Sequence, residues 1–254
     1  MAQNKNVLVI ASNWGFWGEE LQAAWDALRQ AGHQTVLATP QGKKPLPFKI
    51  SVDPDFVDPI QNYHVNPPEV CDRVKELLAN GGWDNPIRIA DASMADYDAL
   101  VLAGGPGTDL DLTNNPAVHR LVSEGLAQGK LVAAMCFAVA CLAFTRDPDN
   151  NYRSVIYGRE VTAHPRAWDF RDDLTYDLYE ATSDNPGTDV VTPGFLLPIQ
   201  DVMTDAVGPE GRVFSDPDTN RENPSVVTDG PFITATSVES SIAYGKKIVE
   251  RLAE

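Results

Sequence analysis

The sequence predicts an α/β fold: a three-layer sandwich around a mostly parallel, flavodoxin-like central sheet, with a nucleophile elbow at Cys136. Three observations carry this expectation. Short continuous apolar runs recur as Val7–Ala11 (VLVIA), Ala99–Ala103 (ALVLA) and Leu131–Met135 (LVAAM), as in strands buried on both faces. Segments with apolar residues at helical spacing alternate with these runs, which calls for parallel strands joined by right-handed crossovers. The third run passes into an apolar helical segment through the single residue Cys136.

Taken in order, Val7–Ala11 is a buried strand that ends in a loop at Ser12, Asn13 and Gly15. Glu19 to Ala31 follows as a helix, with Leu21, Ala24, Trp25 and Leu28 inward and Gly32 as its stop. Gln34–Thr39 is the next strand, halted by Pro40. Residues 40–67 carry six prolines and read as an irregular excursion. Pro68 to Asn80 is helical, with proline suited to the first turn and Gly81-Gly82 past the end. Ala99–Ala103 runs as a central strand into Gly104-Gly105-Pro106-Gly107. A helix over Ala117–Gln128, the strand Leu131–Met135 and an apolar helix over Phe137–Phe144 come next. Residues 146–160 read as a turn and hairpin, and residues 171–195 as a polar insertion. A strand at Phe232–Thr234 and a helix from about Ser240 to Leu252 close the chain. The expected organisation is one domain over residues 1–254, with irregular insertions at about 40–67 and 171–195.

Composition excludes several function classes. The chain has 254 residues, 43% hydrophobic and 22% charged, near globular averages, so it is neither disordered nor fibrous. No apolar run approaches the ~20 residues of a membrane span, and the first apolar stretch is too short for a secretory leader; a cytoplasmic location is expected. Twenty basic against 36 acidic residues give a net charge of −16, which repels nucleic acid and anionic membranes and reads as a solubility device. The three cysteines (Cys71, Cys136, Cys141) and four histidines show no disulfide framework and no metal-ligand spacing, so neither a metal nor a cofactor is expected. Cys71 lies on an amphipathic helix, and Cys141 reads as core.

A side chain at position 136 stands at the carboxyl edge of the sheet, where open α/β sheets bind ligands. The start of the following helix stabilises a thiolate there, and backbone N–H groups are placed to hold an oxyanion. The competing reading is a small buried thiol packed between strand and helix. Trp14, Trp17, Phe137 and Trp168 fall beside the expected pocket and suggest a narrow apolar site, although aromatic residues equally serve as core.

Three segments resemble the ThiJ/PfpI superfamily, closest to its glyoxalase III type heat-shock protein branch. They are Gly15-Phe16-Trp17-Gly18-Glu19-Glu20-Leu21, then Ala103-Gly104-Gly105-Pro106-Gly107-Thr108 with Asn114-Asn115-Pro116, and the elbow stretch from Lys130 to Leu142. The stretch from Thr228 to Thr234, with Ser240-Ser241, resembles the last strand and helix of that branch. The resemblance implies that Glu20 hydrogen-bonds the Cys136 thiol and carries protons, while Glu19 fits an exposed first-turn carboxylate. It also implies a homodimer and a small-molecule substrate.

The departures are specific. The branch has histidine directly after the elbow cysteine, where this chain has Phe137; the backbone N–H of Phe137 remains as half of an oxyanion hole. Pro106 stands where the branch has the loop histidine, so a second donor must come from Gly105 or Gly107. In the segment Ala163-His164-Pro165-Arg166, Arg166 registers where the branch has the triad acid, with Asp169 as its candidate partner. His164 is a candidate base from the same segment, and Arg166 a candidate anion binder.

Three functions stay open. One is a cysteine enzyme on a small electrophile, either glyoxalase- or deglycase-like or a hydratase or hydrolase, acting through a Cys136–Glu20 pair. The second is a non-enzymatic oxidative-stress sensor or chaperone-like dimer, which needs an accessible low-pKa thiol at Cys136. The third, a glutamine amidotransferase, shares the architecture and needs a histidine and an acid downstream of the cysteine.

Overall fold

The computed structural model describes residues 4–176, 190–193 and 197–254. Its centre is a seven-stranded sheet. The strands are β1 (Asn6–Ile10), β2 (Gln34–Thr39), β3 (Ile87–Arg88), β4 (Ala99–Leu102), β5 (Leu131–Met135), β6 (Val226–Asp229) and β7 (Phe232–Ala235). They lie in the order β6-β7-β5-β4-β1-β2-β3. Every neighbouring pair is parallel except β6–β7, an antiparallel edge hairpin. From β1 the chain winds outward through β2 and β3, then returns to β4 on the other side of β1. The strand order therefore reverses at the β1–β4 boundary, where a crevice opens at the carboxyl ends.

The helices are α1 (Gly18–Gln30), α2 (Pro68–Ala79), α3 (Pro116–Ala127), α4 (Val139–Phe144), α5 (Ile199–Val207) and α6 (Ser241–Leu252). α1 packs on α2 and α6, while α4 packs on α3 and α5, giving a layer on each face of the sheet. The inward faces are those the periodicity predicts: Leu21, Ala24, Trp25 and Leu28 of α1 are all buried. α1 ends as expected at Gly32, whose φ of +87° lets Gly32 N–H reach Arg29 O and His33 N–H reach Leu28 O. α3 starts one residue earlier than expected because Asn115 caps it, its side chain accepting from Ala117 N at 3.0 Å, with Pro116 in the first turn.

Some elements depart from expectation. The apolar segment after Cys136 opens with a 3-10 turn, Cys136–Ala138, before α4. α5, whose buried Ile199, Met203, Ala206 and Val207 recur at helical spacing, and the short edge strand β6 are elements that the sequence reading did not include. Glu160–Thr162 pairs in parallel with Arg212–Phe214 in a separate two-stranded sheet. Within the expected 171–195 insertion, Phe170–Tyr176 and Val190–Pro193 pair antiparallel, and residues 177–189 and 194–196 lie outside the described residues. Among the described residues no helix is long and apolar enough to cross a membrane.

The 40–67 excursion folds back over the strand ends. Phe48 N–H donates to Phe16 O at 3.0 Å, and Gly18 N–H donates to Ser51 Oγ at 3.0 Å. It thereby supplies one wall of the crevice. The floor depends on glycine. A Cβ at Gly104 would lie 2.6 Å from Met135 O and 2.8 Å from Cys136 Cβ, closer than real contacts allow. Gly104→Ala is expected to cost about 1–3 kcal/mol through this overpacking. Gly125→Ala, inside α3 with its nearest neighbour at an ordinary 3.4 Å, is expected to be neutral or stabilising by up to about 1 kcal/mol. Urea midpoints of the two variants against the parent check the contrast.

Candidate active site

β5 delivers Cys136 to the crevice. The residue takes φ +52°, in the left-handed region that a non-glycine residue enters only at a cost of about 1–3 kcal/mol. Left-handed backbone at the strand–helix junction is the geometry of an elbow, and it turns the side chain to the strand ends. Cys136 is 5% exposed and lines a cavity of about 80 Å³, room for roughly five waters. The backbone N–H of Phe137 donates to its sulfur. Gly105 also lines this cavity.

Glu20, in the first turn of α1, reaches the same point. It is 1% exposed and its carboxyl hydrogen-bonds the Cys136 thiol. Beyond the thiol, its Oε2 has no partner. Burial raises the carboxyl from its ordinary range to about 8 against the pull of the thiol bond, and nearby Glu239 and Glu19 add to the rise. Burial, then the Glu20 carboxyl, push the Cys136 thiol well above its usual range, against the Phe137 N–H. The resting pair at neutral pH therefore holds a proton on each partner. The stabilisation expected from the helix start is present as one N–H, from Phe137, and is outweighed by burial and the neighbouring acid.

His164 also lines the cavity. Its ring lies 5.1 Å from Phe137 and 5.3 Å from Trp168, centroid to centroid. Its Nδ1 is 2.6 Å from Oδ1 of Asp169, whose side chain is fully buried. Burial raises the Asp169 carboxyl and the His164 bond holds it down. With Nδ1–H donated to a carboxylate, a neutral ring carries its lone pair on Nε2. The expected pairing of Asp169 with Arg166 is thus corrected. Arg166 is half exposed, with Nε 3.0 Å from Asp201 Oδ2 and its backbone N–H on Gln200, and it does not line the cavity. The one-turn helix Arg166–Asp169 explains the exchange, because it swings Arg166 outward and Asp169 inward.

Of the expected aromatic residues, Trp17, Phe137 and Trp168 line the cavity. Trp14 does not; it is 62% exposed. The reason is local: the loop nests its backbone at Trp14 and Gly15 against Gly107, which leaves the Trp14 ring outside.

Sequence reasoning missed the opposite wall. Glu239 lines the cavity and accepts hydrogen bonds from Tyr63 Oη and Ser237 Oγ. Asp58 lines it too, its Oδ1 accepting from Ile60 N at 2.8 Å and Gln61 N at 2.7 Å. Glu19 is corrected from exposed to buried, at 1% exposure. Arg221 binds both its oxygens, at 2.7 and 2.6 Å, and also donates to Val65 O at 2.8 Å. These partners lie up to 202 positions apart, and no local pattern announces them. Among the described residues no cluster of three or more His, Cys, Asp or Glu side chains is placed to hold a metal ion.

A cysteine on a left-handed elbow at the switch point of a doubly wound sheet, paired with a buried carboxyl from the first helix, defines a class of α/β proteins. The chain belongs to the DJ-1/PfpI family, whose model matches residues 5–251. A search of curated proteins found no match. Among solved structures, the chain is similar to Rapid Encystment Protein 24 kDa of Francisella tularensis, at 22% identity and a TM-score of 0.72, covering 98% of this chain and 99% of that one. It is also similar to glyoxalase III of Candida albicans (20%, 0.69, covering 97% and 96%) and to DJ-1beta of Drosophila melanogaster (20%, 0.57, covering 99% and 91%). At these identities the likeness is one of fold.

Two stability predictions follow from the buried charges. Glu20 binds a proton more tightly folded than unfolded, so its contribution favours the fold at low pH and is lost as pH rises toward about 8. Glu20→Gln removes this slope. Relative to the parent, the variant is expected to gain about 3 kcal/mol between pH 5.5 and 8, read from urea unfolding at both pH values. Arg221→Met leaves Glu19 buried without its cation and is expected to cost about 3–5 kcal/mol. The double change Glu19→Gln with Arg221→Met should recover part of that loss in the same assay.

Proposed function

We propose that the protein is a cysteine-dependent enzyme acting on a small carbonyl electrophile, in the glyoxalase- or deglycase-like manner the family suggests. The observation that carries the reading is the convergence of three proton-handling groups on one small cavity: the Cys136 thiol, the buried Glu20 carboxyl, and the His164 ring held by Asp169. His164 does the work of the family's histidine after the elbow, a position held here by Phe137.

The steps follow from the groups present. His164 takes the thiol proton, and Asp169 steadies the resulting imidazolium. Sulfur bonds to the carbonyl carbon as the C=O π pair moves to oxygen. The Phe137 N–H, which bonds the sulfur at rest, holds that developing charge, and the Glu20 proton neutralises it. With an α-ketoaldehyde, Glu20 as carboxylate takes the proton from the thiohemiacetal carbon while the His164 imidazolium protonates the neighbouring carbonyl oxygen. Glu20 then gives its proton to that neighbouring carbon and takes the hydroxyl proton of the first, leaving a thioester, a neutral His164 and a protonated Glu20. Water cleaves the thioester with His164 as base, releasing a 2-hydroxy acid and restoring the thiol. The net change is addition of one water.

The redox-sensor reading needs a thiol that ionises easily, and the raised Cys136 thiol supports it less well. The test is conversion of methylglyoxal to lactate without glutathione. Cys136→Ser is expected to abolish turnover. His164→Ala is expected to lower kcat by roughly 10²–10⁴-fold, as for loss of a general base. Full turnover by His164→Ala would remove His164 from the mechanism, and full turnover by Cys136→Ser would sink the whole reading.

A further inference from the structure

The cavity has an unusual charge balance. Three of the residues lining it, Glu20, Asp58 and Glu239, are acids, and no described lining residue is Lys or Arg. The stretches 177–189 and 194–196, outside the described residues, contain no Lys or Arg in sequence, and Arg171 is the one basic residue whose side chain lies outside the description. Arg221, which interacts electrostatically with Glu239 from outside the cavity lining, is engaged in two contacts to Glu19 and one to Val65 O. Arg166 faces Asp201.

The rest of the lining is aromatic. Trp17 and Trp168 are the best ring faces for a cation, and Phe137 adds a third. Two polar atoms of lining residues, the Oε2 of Glu20 and the indole Nε1 of Trp17, are buried without a hydrogen-bond partner.

Resting on the cysteine-enzyme reading above, we propose that this cavity selects its electrophile by charge. It prefers a small carbonyl compound carrying an ammonium group over an uncharged one, and it turns away carboxylates and phosphates. The carbonyl oxygen faces the backbone N–H side of the elbow, and the ammonium group lies among the tryptophan faces and the Glu239–Asp58 wall. Each anionic group brought in meets these acids with no Lys or Arg among the described lining residues to offset them.

The test uses the native protein and needs no knowledge of the substrate. Three methanethiosulfonates differing in charge (2-aminoethyl, methyl and 2-sulfonatoethyl) each transfer their thio group to Cys136 with release of methanesulfinate. Rates at Cys136 are read by peptide mass spectrometry and divided by the rate of each reagent with free cysteine. The expected order is aminoethyl, then methyl, then sulfonatoethyl, with at least tenfold between first and last. Asp58→Asn and Glu239→Gln should each narrow that span several-fold; Asp58 sits on the excursion, so its variant keeps the test open if Glu239→Gln fails to fold. Equal normalised rates, or a faster sulfonatoethyl reagent, would overturn charge selection and leave the cysteine reading intact. Absence of reaction with all three at Cys136 would overturn both. Failure to turn over methylglyoxal bears on the enzyme reading alone, because the rate order still reports the charge of the cavity.

Discussion

Everything at this site depends on how closely three backbone segments approach one another where the strand order reverses. The loops after β1 and β4 and the elbow after β5 meet with no side chain between them: Trp17 N–H donates to Gly104 O at 3.2 Å. At Gly105, φ +113°, an added Cβ would lie 2.7 Å from Phe16 Cα. Glycine here is a steric requirement, set by distances too short for any Cβ. Because the loops nest, Glu20 at the start of α1 reaches sulfur at the end of β5. Had they stood a few ångströms further apart, water would have entered, and both groups would titrate near their ordinary values.

Excluding water makes the site expensive in charge, and the surrounding structure is arranged to bear it. Glu19 and Glu20 are adjacent and both buried, yet they meet different fates. Glu19 receives a two-pronged guanidinium, a geometry that offsets much of its desolvation. Glu20 receives only a thiol and keeps its proton. The two are therefore different chemical devices: one a fixed ionic clamp joining α1 to the loop around Arg221, the other a proton store beside the nucleophile. Burial also raises Asp109, to about 7, close behind the His164–Asp169 pair, so acid groups held near neutrality extend beyond the first ring of contacts.

The fold was legible because buried parallel strands write themselves as short apolar runs, and Leu131–Met135 was read to the residue. Helix ends were legible where they had local chemistry, at Gly32 and Pro68. Glu20 was reachable only through the family resemblance, which places a carboxyl five residues after Gly15; the short loop between them makes that count transferable. Asp169 could not be assigned: its partner depends on a four-residue helix that rotates Arg166 out and Asp169 in, and that turn has too little periodicity to show. Arg221, Tyr63 and Glu239 were invisible for a different reason. They come from loops and a distant helix start, joined only by the tertiary fold. Trp14 misled because aromatic character says nothing of which side of a loop a ring occupies.

The wall of the cavity has an implication for how the molecule comes into being. Tyr63 meets Glu239 across 176 positions and Arg221 meets Glu19 across 202, so the N-terminal third and the last forty residues close the pocket together. During synthesis β1, β2 and β4 can pair early, but β7 must insert beside β5 and bring Glu239 with it before the cavity has an outer wall. Until then Cys136 and Glu20 stand open to solvent, with the titration behaviour of small molecules. The outer wall of the cavity is thus complete only once the chain's final hairpin and helix have docked on the strands and helix of its N-terminal part.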